Sequence, residues 1–280
     1  MKPNNIRLAI GILLLTAGCQ RTESIPPTSD ISSKPSSSPQ TVALAEHLST
    51  SGPTAPPIHE GLLPLYWQTV PDVRPFQVLI NGLPDLDQII KEAALPAILG
   101  AIDTKVIVYK QKKDTEFLHG ALVWKKISYD LGPVAGYNYQ GNDALQVQSM
   151  MIFQKQTIKI SGAIGASAGY MTMYIDMEND IPQPLLHVES GYPYEQDVDH
   201  DGLNEIVNSV GTVPQTTLYR WAEDRAESID LNHLLNAPSV NITKAGLVEA
   251  TFQLGDISMI RLYRLTKEGL SGFEKQLVNP

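Results

Sequence analysis

The stretch GTVPQTTLYRWAEDRAE, residues 211–227, carries the reading on which the fold turns. A glycine opens it, β-branched residues lead to the apolar pair Leu218 and Tyr219, and a charged turn passes into a further run. Short β-forming runs bounded by turn residues read as strands of a hairpin. Three other stretches share the layout. They are GAIDTKVIVY (100–109) before KQKKDTEF, GASAGYMTMY (165–174) before IDMENDIP, and GDISMIRLY (255–263) before RLTKEGLS. Their tyrosines, Tyr109, Tyr174, Tyr219 and Tyr263, are separated by steps of 65, 45 and 44 residues. Two nearly equal steps imply a repeat. The longer first step implies an insertion, read as an extended hairpin or loop around residues 122–141. A period in the forties suits a four-stranded propeller blade.

The expected fold is therefore all-β, a β-propeller-like domain of about four or five blade repeats, with a β-sandwich as the alternative. One N-terminal helix is expected over residues 84–100, PDLDQIIKEAALPAILG. Asp85 or Asp87 would cap it, Ile89, Ile90, Ala93 and Leu95 would form its apolar face, and Pro96 would end or kink it.

The two ends of the chain differ in composition. Lys2 and Arg7 precede the apolar run LAIGILLL (8–15), which is too short to span a bilayer, and small residues then lead to Cys19. Residues 19–60 are rich in Ser, Pro and Thr and cannot bury enough apolar surface to offset their ordering. As a flexible tether of about 40 residues they would reach roughly 35 Å. The division is residues 1–18 as signal peptide, 19–60 as tether and 61–280 as the folded domain.

LLTAGC, residues 14–19, resembles the lipobox of bacterial lipoproteins. The resemblance implies a lipid on Cys19, which would become the mature N-terminus. Cys19 is the only cysteine, so it forms no disulfide within the chain. The implied location is the extracytoplasmic face of a cell membrane, held by acyl chains. The net charge is −9, or −11 once Lys2 and Arg7 leave with the signal, which argues against nucleic-acid binding.

DVDHDGLNEIV, residues 197–207, carries the chemistry. Asp197, Asp199 and Asp201 alternate, Gly202 permits a sharp turn, the Leu203 carbonyl falls at position 7 and Glu205 at position 9. Carboxylates this close repel unless a cation lies among them, and hard cations such as Ca²⁺ take six to eight oxygens. An EF-hand would need Glu at position 12, where this chain has Asn208. The loop instead resembles the calcium loop of FG-GAP/VCBS-type repeats, the blades of integrin-like propellers. That resemblance implies ligands from Asp197, Asp199, Asp201 and Glu205, joined here by Leu203. GNDALQVQ (141–148) reads as a degenerate copy with a single Asp.

GASAG, residues 165–169, satisfies G-x-S-x-G and would make Ser167 a nucleophile if a strand preceded it and a helix followed. YMTMYIDM after it alternates like a strand instead. The histidines, among them His119, His187 and His233, show no metal spacing. Trp124 and Trp221 would suit either a core or a sugar-stacking surface. The functional expectation is a lipid-anchored, extracytoplasmic calcium-binding module whose partner is an envelope protein or glycan. A surface hydrolase using Ser167 and a structural envelope-assembly lipoprotein are the alternatives.

Overall fold

The computed structural model describes residues 61–278, apart from residues 97, 99–100, 139–140, 166–168, 179–180 and 256. The segments expected as signal peptide and tether, with Cys19, and Ser167 lie outside the described residues. Three two-residue strands come first, β1 (Leu62–Leu63), β2 (Gln68–Thr69) and β3 (Gln77–Val78). Four meanders follow in chain order. The first is β4 (Leu86–Ala94), β5 (Lys105–Gln111), β6 (Phe117–Trp124) and β7 (Ile127–Gly136). The second is β8 (Leu145–Ile152), β9 (Lys155–Gly165), β10 (Gly169–Asp176) and β11 (Gln183–Val188). The third is β12 (Tyr194–Gln196), β13 (Glu205–Val210), β14 (Gln215–Ala222) and β15 (Arg225–Asp230). After a short helix α1 (Leu231–Leu235) comes the fourth, β16 (Ser239–Ile242), β17 (Leu247–Leu254), β18 (Ile257–Thr266) and β19 (Gly269–Val278).

Each meander is an open antiparallel sheet in its own right. The leading strands extend three of them, with β3 on β7, β2 on β15 and β1 on β19. The sheets stack through three core clusters. Val106, Leu118 and Trp124 of the first sheet pack with Ile158, Ile160 and Met173 of the second. Tyr174 and Leu186 meet Ile206 and Ala226 of the third. Val207, Leu218 and Ile229 meet Val240, Val248 and Phe252 of the fourth. No core cluster among the described residues joins the fourth sheet to the first.

Strand alternation explains the stacking, because successive side chains point to opposite faces and an inner sheet must bury both. Tight turns make the meanders compact. Lys125 and Lys126, Phe153 and Gln154, and Glu223 and Asp224 all have positive φ, between 47° and 67°. That is the two-residue type I′ geometry, whose twist matches the flanking strands.

Two expectations need correction. Residues 86–94 form β4, not a helix, and pair along β5 from Leu86↔Gln111 to Ala94↔Lys105 with two irregularities. Pairing on the buried KVIVY run outweighs a marginal local helix pattern, as tertiary context often does. Asp85 sits at φ 48°, outside the extended conformation of a helix cap. The insertion is also not one: the residues between Tyr109 and Tyr174 form β6 to β9, ordinary strands of the first two sheets. Tyr174, Tyr219 and Tyr263 lie on third strands of their sheets, whereas Tyr109 lies on a second strand. The long first step is an offset of one strand.

One polar network ties the second sheet to the third. Lys159 Nζ donates to Glu195 Oε1 at 2.7 Å and to the Pro193 carbonyl at 3.2 Å. The hydroxyl of fully buried Tyr174 donates to the same Glu195 oxygen at 2.6 Å, and burial followed by the Glu195 charge drives its pKa far up. Removing one partner of a buried ion pair leaves the other unpaired at a cost of about 3–5 kcal/mol. Glu195→Ala is therefore expected to lower unfolding free energy by about 3 kcal/mol in urea titrations. The triple variant Lys159→Met, Tyr174→Phe, Glu195→Leu should recover most of that loss, since it buries neither an unpaired charge nor an unpaired hydroxyl.

Candidate metal centre

The aspartate loop joins β12 to β13 at the edge of the third sheet. Its fold is written in its own carboxylates. Asp197 accepts from the N–H groups of Asp201 at 3.1 Å and Gly202 at 3.0 Å. Asp199 also accepts from Asp201 N–H at 3.1 Å, and Asp201 caps Leu203 N–H at 2.9 Å. Short Asp side chains make such local turns readily. Gly202 takes φ 88°, and His200, which is exposed, takes φ 61°. A left-handed non-glycine residue is uncommon and costs some strain, which the surrounding hydrogen bonds offset.

Asp197, Asp199 and Glu205 each present an oxygen such that all three oxygens lie within 4.8 Å of one another. Oxygens on opposite sides of a calcium ion bound at 2.3–2.6 Å lie up to roughly 5 Å apart, so this donor set fits one shared cation. Asp201 is turned elsewhere: one oxygen caps Leu203 and the other meets Lys267 Nζ, from the β18–β19 turn, at 3.3 Å. The loop thus brings together three of the four expected acidic ligands. Leu203 is on the loop with its side chain partly exposed.

Glu205 is the unusual member. It is only 8 % exposed, and Val198 N–H donates to its Oε2 at 2.9 Å. Burial, with added repulsion from Asp199, Asp201 and Asp197, pushes its carboxyl up to about 7 despite that bond. Asp199 is raised as well, first by burial and then by the Asp201 charge. Burial of a carboxylate among carboxylates is costly unless a positive charge compensates.

Beside the loop lies a cleft of about 460 Å³, with Asp199 and Glu205 on one wall and Trp67, Phe153, Arg220 and Trp221 among the others. Arg220 lies 4.1 Å over the Trp67 ring and is held by Glu227 Oε2 at 2.8 and 3.0 Å. Phe153 and Trp221 stack with centroids 6.2 Å apart. Trp124, the other tryptophan considered as a stacking surface, is fully buried in the first core. The residues flanking Ser167 belong to β9 and β10, two antiparallel strands, so the helix that a nucleophile elbow needs does not follow. His119 bonds Asp114 at 2.7 Å, His187 lies on β11 and His233 in α1, each remote in role from the loop. The contributions of Lys267, Arg220 and Trp67 come from other sheets or strands and had no local signal in the sequence.

No protein-family model matches the chain, and no curated protein or solved structure matches it significantly.

The raised Glu205 carboxyl sets a pH dependence. Between its ordinary value of 4.5 and about 7, the folded state holds a proton that the unfolded chain has released. Stability then falls as pH rises across that window. Chelator-treated protein is expected to have a higher urea midpoint at pH 5 than at pH 8 from this group, and Glu205→Gln should flatten that slope.

Proposed function

We propose that the chain is a lipid-anchored, extracytoplasmic calcium-binding module of the cell envelope. The observation that carries the cation half is the convergence of Asp197, Asp199 and the buried Glu205 on one point. In this reading those three side chains hold Ca²⁺, with Asp201 and the Leu203 carbonyl completing the set after Lys267 is displaced. A bound Ca²⁺ would supply the positive charge that lets Glu205 stay ionised in its buried position. Its role is structural: it pins the β12–β13 loop against the third sheet.

The same reading takes the four consecutive meanders as blade-like repeats of a propeller-type array. Support comes from their chain order and from the recurrence of Tyr174, Tyr219 and Tyr263 on third strands. The loop-before-strand placement of Asp197–Glu205 supports it too. The anchor rests on LLTAGC and Cys19, and the partner is an envelope protein or glycan.

A site of extracellular type, with Kd on the order of 10⁻⁴ to 10⁻³ M, stabilises the fold by about 1.4 kcal/mol at ten times its Kd. For a domain of this size that raises the melting midpoint by about 4 °C. Thermal unfolding with calcium and with EDTA is therefore expected to show such a rise for wild type and none for Asp199→Ala. An unmoved wild-type midpoint would remove the calcium reading. For the anchor, Cys19→Ser should shift the protein from the membrane fraction to the soluble extracytoplasmic fraction of expressing cells.

A further inference from the structure

The interface between the second and third sheets contains a polar face that packing alone does not require. On β9, Ile158 and Ile160 enter the first core, so Lys159 and Ser161 point the other way. On β10, Met173 and Ile175 enter that core, which sends Tyr170, Thr172 and Tyr174 to the same side as Lys159 and Ser161. The register aligns them in rows, Gln146–Ser161–Thr172 and Lys159–Tyr174. A sheet face turned toward a neighbouring sheet is normally apolar, because buried polar groups cost free energy unless paired. Here an ammonium, two hydroxyls, an amide and phenols occupy it.

These groups line a cleft of about 320 Å³, closed on its other side by Tyr192, Pro193 and Tyr194. Two glycines, each next in sequence to one of its tyrosines, bring the backbone together. Gly169 of β10 and Gly191, in the connection from β11 to β12, form a parallel bridge, and Tyr170 N–H donates to the Gly191 carbonyl at 2.7 Å. A Cβ on Gly169 would collide with that carbonyl, and one on Gly191 would collide with the Asn208 side chain. Both positions have positive φ. This close approach sets the rings of Tyr170 and Tyr192 edge to face with centroids 6.0 Å apart. The second glycine of G-x-S-x-G thus serves backbone approach.

The interior of the cleft is matched in charge. Lys159 is neutralised by Glu195 at 2.7 Å, which leaves no free ion for a charged ligand to pair with. The Ser161 and Thr172 hydroxyls sit 3.0 Å apart; Thr172 is fully buried and serves to hold Ser161, which keeps further bonding capacity. The Tyr194 hydroxyl donates to the Ile242 carbonyl, whereas those of Tyr170 and Tyr192 have no partner among the described residues. Aromatic rings with adjacent neutral donors and acceptors suit a ring with apolar C–H faces and hydroxyl edges.

We propose that the cleft between the second and third sheets binds a neutral saccharide unit, with the Tyr170 and Tyr192 rings as two aromatic walls and Gln146 and Ser161 facing its hydroxyls. This names a glycan as the partner in the reading above, but at a place separate from the aspartate loop and without need of a cation. The volume lies at the lower end of small-ligand sites, so the fit is to one or two sugar rings.

The test is saturation-transfer NMR and calorimetric titration of the full chain with cellobiose, N,N′-diacetylchitobiose and mannobiose, in EDTA and in calcium. At least one disaccharide is expected to bind with millimolar or tighter Kd, equally in both buffers. Tyr192 is 48 % exposed, so its truncation spares the fold. Tyr192→Ala should weaken binding at least tenfold, Tyr192→Phe should stay within threefold of wild type, and Asp199→Ala should bind as wild type does. The proposal is overturned if none of the three saturates, if Tyr192→Ala binds undiminished, or if digalacturonic acid is preferred to every neutral sugar. Because EDTA is present in one arm, failure of the calcium reading and failure of this one are separate results.

Discussion

Glu195 is the hinge of the arrangement. One of its oxygens takes both the Lys159 ammonium and the Tyr174 hydroxyl from the second sheet. The residue itself sits on β12, at the edge of the third sheet, two positions before the aspartate loop begins. β12 is only three residues long and pairs with β13 alone. Such a strand contributes little by itself, so its position is set by the polar anchor as much as by its ladder. The tyrosine cleft lies on one side of that anchor and the loop of Asp197 to Glu205 follows it in the chain. An ion pair removed from water is a poor source of net stability compared with apolar packing, but it demands one geometry. In this fold the geometry it demands is the one on which both candidate sites rest.

The division of work among faces follows from alternation. The second sheet gives its aliphatic face to the first sheet, through Ile158, Ile160 and Ile175. Its other face combines Tyr174 and Leu186 with Lys159, Ser161 and Thr172. The third sheet meets the fourth through an apolar cluster again, from Leu218 to Phe252. The Lys159–Glu195 pair lies at the interface of the second and third sheets, and the buried Thr216 hydroxyl, which donates to the Val240 carbonyl, crosses from the third sheet to the fourth. Polar groups at such an interface lower its contribution to packing, and their satisfaction within the protein makes the arrangement rigid and specific.

The aspartate loop shows the same economy in a smaller space. Every carboxylate already has backbone N–H donors, so the loop holds its shape through Asp197, Asp199 and Asp201. What those bonds do not offset is the burial of Glu205 beside like charges, which leaves its carboxyl raised. Lys267 pairs with Asp201 and eases Asp199 weakly, across the boundary to the fourth sheet. The loop is therefore preorganised and electrostatically incomplete, which is the combination a cation would complete.

Much of this was legible along the chain. Strand character, the recurring Gly-to-Tyr units and the close spacing of the carboxylates Asp197, Asp199 and Glu205 are local properties. They rest on alternation, turn chemistry and side-chain type, all of which act between near neighbours. The residues that were misjudged depend on distant partners. Residues 86–94 carry a helix-like pattern but become β4, because the edge of β5 offers hydrogen bonds and burial that a short helix would lack. The turns Lys125–Lys126, Phe153–Gln154 and Glu223–Asp224 contain no glycine, so their tight type I′ form escaped the usual signal and the offset of Tyr109 looked like an insertion. The approach of Tyr170 to Tyr192, the Lys159–Glu195 pair and the pairing of Lys267 with Asp201 join residues far apart in sequence. Sequence by itself determined most of the strand segments and where the acidic residues stand; only the tertiary structure decided that residues 86–94 join those strands and which faces meet, since both choices are made by pairing and burial between distant segments rather than by any one segment.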